Sequence, residues 1–337
     1  MKSGSVVRRI AVIAGDGIGP EVVAEAIKVL NATNLVFDFT PFDLGGDRYL
    51  RDGEILCDAT LDELRKFDAI LFGAVGSPQV APGIIERGVI LKIRFGLDLY
   101  VNYRPCKGIA PGRSNFHEFI VIRENTEGPY VGEGGSLRQG TPFEIATQGS
   151  VNTAYGVERC IRYAFELATS RPRRHLTLVH KTNILQYSGN LWSRVFDQVA
   201  AEFPLVQTAY NHVDAACIYM VQDPQRYDVI VTDNLFGDII TDLAGAVSGG
   251  IGFAASANLN PMRTGPSLFE PVHGSAPDIA GMGTANPIGA ILSAGLMMEF
   301  LGEYDVARRI RLASDELVSG STREIGDIIA RRVSTRA

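Results

Sequence analysis

The sequence lacks the signatures that would place it in several common classes. Its four cysteines, Cys57, Cys106, Cys160 and Cys217, stand far apart with no C-x-x-C pair, so they form no redox or metal motif. They read as free thiols in a reducing cytoplasm. Basic residues are in deficit, with 32 Lys and Arg against 38 Asp and Glu and a net charge of -6, which removes the broad basic footprint of a nucleic-acid binder. No apolar run is long enough to span a bilayer. The opening MKSGSVVRRIAVIAGDG does not read as a signal peptide, because Arg8 and Arg9 break its apolar core. No P-loop G-x-x-x-x-G-K-[ST] is present, which argues against a phosphotransfer protein. Repeats and low-complexity tails are absent as well.

What is present is an α/β pattern. The hydrophobic fraction is 46%, ordinary for a folded chain, and 36 glycines imply many turns or close backbone approaches. Apolar strand-like runs occur at Arg9–Gly15, Phe67–Gly76, EFIVIREN, HLTLVHKTN and YDVIVTDN. Helical patterns lie between them, from Pro20 to Leu30, in LDELRK, and over Thr153–Ala168, Leu191–Glu202 and Ala215–Val221. This alternation predicts an α/β fold with a largely parallel sheet, in one body with two lobes. Two stretches break the rhythm. Gly128–Asn152 is glycine-rich with short β-like pieces and reads as an arm or flap; Gly252–Pro287 reads as a long functional loop.

Two motifs carry charge or glycine in arrangements that ask for a partner. AGDGIGPE, Ala14–Glu21, joins a strand to a helix but is spaced G-x-G-x-G rather than G-x-G-x-x-G, and Pro20 removes an N–H where a dinucleotide phosphate would need one. A tight turn bordering a site is as good a reading as direct phosphate contact. In VTDNLFGDIITD, Asp238 and Asp242 are four apart on a helix, so they share a face and repel. Something positive should hold them. Arg94, Arg104 and Arg123 have the type and placement to clamp carboxylates, Asp214 can join the two aspartates as oxygen ligands for a hard divalent cation, and Lys181 and Tyr130 can transfer protons. These residue types do not by themselves name a reaction.

The combination resembles the β-decarboxylating dehydrogenase family, whose members act on 3-isopropylmalate, isocitrate, homoisocitrate, tartrate or D-malate. The resemblance rests on GDGIGPEV, YVNYRP, IRENTEGPY, HKTNIL, DNLFGDIITDLA and FEPVHGSAPDIAGMGTANP, and covers nearly the whole chain. It implies a two-domain open twisted α/β sheet with a non-Rossmann cofactor site. Residues 1–99 plus 250–337 would form the cofactor domain, and residues 100–249, including an arm at 128–152, the dimerisation and metal domain. It implies that Arg94, Arg104 and Arg123 hold substrate carboxylates, that Asp238 and Asp242 bind Mg²⁺ or Mn²⁺, and that Asp214 completes that set and touches substrate. Asp214 and Lys181 would reach in from a second subunit, making a homodimer with shared active sites. Lys181 and Tyr130 match the family's proton-transfer pair, and Asn183 a residue near the nicotinamide. The cofactor loop would be His273, Gly274, Ser275, Ala276, Asp278, Ile279 and Asn286, with Asp278 placed to accept bonds from a ribose and repel a 2′-phosphate, hence NAD.

The third substituent of the substrate would be read near Glu86. Val89, Ile90 and Leu91 fall about one turn before Arg94 and suit an isopropyl group, with helix core as the plainer role. The resemblance accordingly leans to 3-isopropylmalate oxidation in leucine biosynthesis. D-malate, tartrate or homoisocitrate is the alternative, the last through Arg87 and a γ-carboxylate.

Overall fold

The computed structural model describes residues 7–108, 117–247, 250–316 and 318–335. The opening MKSGSV and the expected domain boundary at residue 249 lie outside them. The chain divides into two compact units, Met1–Leu99 with Gly249–Ala337, and Tyr100–Ser248.

The first unit begins with β1 (Val7–Gly15), α1 (Gly19–Asn31), β2 (Val36–Pro41), α2 (Gly46–Asp52), α3 (Asp58–Leu64) and β3 (Ala69–Ala74). A π-helical turn, Glu86–Leu91, then runs into α4 (Lys92–Gly96). The second unit follows as β4 (Val101–Gly108), β5 (His117–Glu124), β6 (Gly134–Leu137), β7 (Ile145–Gln148), α5 (Ala154–Ser170), β8 (His175–His180), α6 (Gln186–Ala200), β9 (Gln207–His212), α7 (Val213–Gln222), β10 (Val229–Thr232) and α8 (Asn234–Val247). The chain returns to the first unit with β11 (Ala255–Leu259), β12 (Ser267–Pro271), α9 (Ile288–Phe300), α10 (Tyr304–Asp315) and α11 (Thr322–Thr335).

In the first unit the strand order is β2-β1-β3-β12-β11, parallel except for the antiparallel β11–β12 pair. In the second it is β4-β5-β10-β8-β9, parallel except for β4–β5. β3 and β10 are buried along their whole length, which is why their sequences are continuous apolar runs rather than alternating ones. β1, β3 and α4 enclose one core around Ile13, Ile70, Phe72, Val89 and Ile93. Phe119, Val121, Val179, Ile230 and Ile240 centre the other.

One expectation is corrected. Gly252–Pro287 is not one long loop, because it contains β11 and β12. Its strands escape an apolar-run reading because Ser256 and Asn258 point into the interior, fully buried and hydrogen-bonded, where an ordinary strand would place Val or Ile. The stretch at Gly128–Asn152 is a hairpin: β6 and β7 pair antiparallel, and Leu137, Phe143 and Ile145 stand exposed on it.

Candidate functional site

In the second unit, the antiparallel register sets Arg123 opposite Asn102 and Arg104 opposite Val121. Side chains alternate along a strand, so the two arginines share one face of the sheet. β10 then delivers α8 beside them. Asp233 caps that helix through its carboxylate, which accepts from the Phe236 N–H at 2.7 Å. The helical period brings Asp238 and Asp242 to the arginines.

Here the repulsion between the two aspartates finds its counter-charge. Arg123 donates to Asp238 Oδ1, Arg104 lies 3.7 Å from the same oxygen, and Arg104 stands 3.5 Å from Asp242. Tyr130 donates to Asp238 Oδ2 at 2.7 Å, with the Arg123 guanidinium 5.1 Å from its ring centre. Five of the expected site residues thus meet in one cluster. Burial, then the charge of Asp238, push the Asp242 carboxyl up despite both arginines. A divalent cation suits such a pair, since it would reverse both effects.

Lys181 and Asp214 form a separate pair at 2.8 Å, at the end of β8 and in the first turn of α7. The lysine's hydrogen bond holds the Asp214 carboxyl below its ordinary range. Asp214 does not join Asp238 and Asp242: among the described residues no three carboxylate, His or Cys side chains are grouped to hold a metal. Asn183 is exposed just beyond Lys181.

Arg94, in the first unit, is buried against Glu270 at 3.1 Å, and Asn258 donates to the same carboxylate oxygen at 2.8 Å. Val89 is wholly enclosed in the core, so its methyl groups are spent on packing and it reaches a ligand only through its neighbours. Ile90 is half-buried, and Arg87 is exposed.

The segment after β12 has the character of a nucleotide cradle. His273 is buried with no hydrogen bond to Nε2, and burial lowers its pKa. At Gly274, Gly281 and Gly283 there is open space where a side chain would stand. Asp278 is exposed and unpaired among the described residues, free to meet a ribose. Ser275 and Ala276 lie half-buried beside it, Ile279 closes a turn by donating to the Ala276 carbonyl, and Asn286 accepts from the Ile288 N–H. Nδ1 of His273 meets the Gly274 carbonyl at 3.0 Å, so the buried Nε2 without a partner and the free Asp278 carboxylate are the groups that suit a nicotinamide dinucleotide.

The glycine motif packs against this segment. Ile18 donates to the Ser275 carbonyl at 2.8 Å. A Cβ at Gly17 would stand 1.9 Å from that carbonyl oxygen, and its φ of +59° already favours glycine. Asp16 ties loops together by accepting from the N–H groups of Gly46, Asp47 and Gly76.

The supporting side chains were not foreseen. Asn234 accepts from Arg123 Nε and donates to the Glu127 carbonyl, both at 2.9 Å; Asn102 and Thr241 accept from Arg104; Glu270 pairs with Arg94. Their signal was membership of DNLFGDIITDLA, YVNYRP, IRENTEGPY and FEPVHG, where no spacing rule marks them.

The profile described as isocitrate/isopropylmalate dehydrogenase matches residues 9–337. The chain belongs to the isocitrate/isopropylmalate dehydrogenase family. Among relatives in the family, 3-isopropylmalate dehydrogenase of Corynebacterium glutamicum is 57% identical, over 97% of this chain and all of its own length. That of Streptomyces coelicolor is 56% identical, over 96% of this chain and 98% of its own. An isocitrate dehydrogenase structure from Methylococcus capsulatus superposes with a TM-score of 0.89 at 37% identity, covering 97% of this chain and 99% of its own.

Proposed function

We propose that this chain catalyses oxidative decarboxylation of 3-isopropylmalate to 4-methyl-2-oxopentanoate and CO₂ with reduction of NAD, a step of leucine biosynthesis. The observation that carries the reading is the 55–58% identity, over 90% or more of the chain, to proteins named 3-isopropylmalate dehydrogenase. The charged cluster supports it with chemistry the reaction needs.

In this reading Arg94, Arg104 and Arg123 hold the two carboxylates of the substrate, each offering a planar fork of donors. Lys181 of a second copy takes the proton from the C2 hydroxyl, and Asp214 of that same copy keeps that ammonium oriented. Tyr130 delivers a proton to the enol carbon after CO₂ departs. Asp238 and Asp242, with Asp214 of a second copy, would hold Mg²⁺ or Mn²⁺, which supplies Lewis acidity at the C2 oxygen, while NAD supplies the hydride acceptor. His273–Ile279, Asn286 and Asn183 would contact the cofactor. Ile90 would border the isopropyl group, with Val89 shaping that wall from behind. Residues 1–99 with 250–337 would serve the nucleotide, and residues 100–249 the metal and dimer.

A homodimer is part of the proposal. Ile218 and Val221 on α7, Leu235 and Ile239 on α8, and Leu137, Phe143 and Ile145 on the hairpin are large apolar side chains left exposed. We assign the chain to the cytoplasm; no helix among the described residues is long and apolar enough to cross a membrane.

The test is NADH formation with Mg²⁺ and NAD, comparing 3-isopropylmalate, D-malate, tartrate, isocitrate and homoisocitrate by kcat/KM. A preference of about tenfold or more for 3-isopropylmalate, the scale of one or two methylene contacts, is the expected outcome. Preference for another of these acids overturns the substrate, and activity with none overturns the reaction.

A further inference from the structure

The motif GDGIGPE sits where a dinucleotide fingerprint would, yet its last residue has a different use. Glu21, in the first turn of α1, sends its carboxylate to the far end of the His273–Asn286 segment, 260 residues away in sequence. One oxygen accepts from the N–H of Gly281, and the other from the N–H of Gly283 at 3.1 Å. Both glycines have left-handed backbones, at φ of +74° and +65°, which turns their N–H groups back toward α1. Ile18 grips the near end of the same segment through the Ser275 carbonyl. The far end is also tied to α11, where Thr322 donates its N–H to the Gly283 carbonyl and its hydroxyl to the Ala285 carbonyl. Between these fixed points Pro277 and Asp278 are exposed, and among the described residues the stretch makes only local turns, Ile279 to Ala276 and Met282 to Ile279.

We infer that Glu21 is a positioning residue for the nucleotide, setting the shape of the segment that carries Asp278 without touching the ligand. This rests on the proposal that the segment binds NAD. A carboxylate receiving two N–H groups makes charge-assisted hydrogen bonds, stronger than neutral ones. It also spans two residues of the turn, Gly281 and Gly283, on either side of Met282. Without it, the turn is held only at Ser275 and at Gly283–Ala285, and Asp278 must be ordered by the ligand itself. That ordering is subtracted from nucleotide affinity and from nothing else.

The experiment uses the full chain with Glu21→Ala and Glu21→Gln. Hydrogen exchange is followed over residues 273–287, NAD affinity by titration, and KM for NAD, KM for the hydroxy acid and kcat by NADH formation. Exchange at Gly281 and Gly283 is expected to quicken at least tenfold in Glu21→Ala, with NAD binding weakened about tenfold and kcat and the acid's KM within twofold of wild type. Glu21→Gln, which keeps one acceptor oxygen, falls between the two and stands in if the alanine variant does not fold. Unchanged exchange overturns the brace whatever the segment binds. Faster exchange with unaltered NAD affinity overturns the positioning role, and so does an equal loss in kcat and both KM values. If the wild type itself binds no NAD, the nucleotide reading fails, and the positioning role with it.

Discussion

Replacing Gly237 by alanine separates local helix energetics from tertiary packing, because the two point in opposite directions. Gly237 lies in the first turns of α8. Judged as a helix residue, alanine is better than glycine by roughly 0.8–1.0 kcal/mol. In the fold, a Cβ there would stand 2.4 Å from Arg123 Cγ, 2.7 Å from its Cβ and 3.0 Å from its Cδ. Carbon atoms rest at about 3.5–4.0 Å, so the arginine stem must retreat by about 1 Å. Arg123 is only 1% exposed, and its head is pinned by Asn234 and Asp238, so it has little room to give. Overpacking of this kind costs about 1–3 kcal/mol, which exceeds the helix gain. Gly237→Ala should therefore lose up to about 2 kcal/mol in urea unfolding, the packing cost less the helix gain. The displaced guanidinium should lower kcat/KM for 3-isopropylmalate by about 100-fold, the scale of a 1 Å misplacement. A variant that is more stable than wild type and fully active would refute the packing argument and leave helix propensity in control.

Burial pushes the Glu124 carboxyl up to about 7 from an ordinary 4.5, against hydrogen bonds from Thr126 and Glu127 that favour its ionised form. Its folded pKa is the higher one, so its contribution is fully present below about pH 4.5 and is lost as the pH rises through about 7. The loss amounts to about 3 kcal/mol at roughly 1.4 kcal/mol per pH unit. Unfolding of wild type and Glu124→Gln across that window should show the difference moving in favour of the glutamine variant, and a flat difference would remove the buried charge as its cause. For Asp242, raised by burial and by Asp238, the ionised carboxylate costs stability at neutral pH. In EDTA, Asp242→Asn should match or slightly exceed wild type in Tm, by the few tenths of a kcal/mol that like charges four apart cost on a helix. Saturating Mn²⁺ should then stabilise wild type by about 2–3 kcal/mol at roughly 100 times Kd and the variant far less. An equal rise in both would place the metal elsewhere.

Much of the fold is legible in the order of residues. β3 and β10 are buried along their whole length, so the runs AILFGA and VIV announce them without any partner being known. β11 stays hidden because its interior is filled by Ser256 and Asn258, whose polar groups are satisfied by neighbours that only the fold supplies. The pairing of Asp238 with Asp242 is likewise a local fact, since a 3.6-residue period puts positions four apart on one face. The same period put Val89 in an alkyl pocket, where the fold has packed it into the core. From DNLFGDIITD alone, then, the chain declares two repelling carboxylates and the need for positive charge.

Which charge answers them is a tertiary fact. Arg123 meets Asp238 across 115 residues, through the antiparallel register of β4 with β5 and the placing of α8 beside them, and no window of sequence contains both groups. The glycine motif makes the same point from the other side. GDGIGPE is visible as a strand-to-helix turn because Gly17 admits a left-handed backbone and Pro20 fixes φ at the helix start. That it grips Ser275, Gly281 and Gly283, rather than offering its own N–H groups to a phosphate, follows from chain segments some 260 residues apart being brought together. Sequence by itself determines the local conformations and the chemical types on offer, because both depend on neighbours within a turn or a strand. Tertiary structure alone decides which of those types face each other, because charge pairing and packing depend on distance in space.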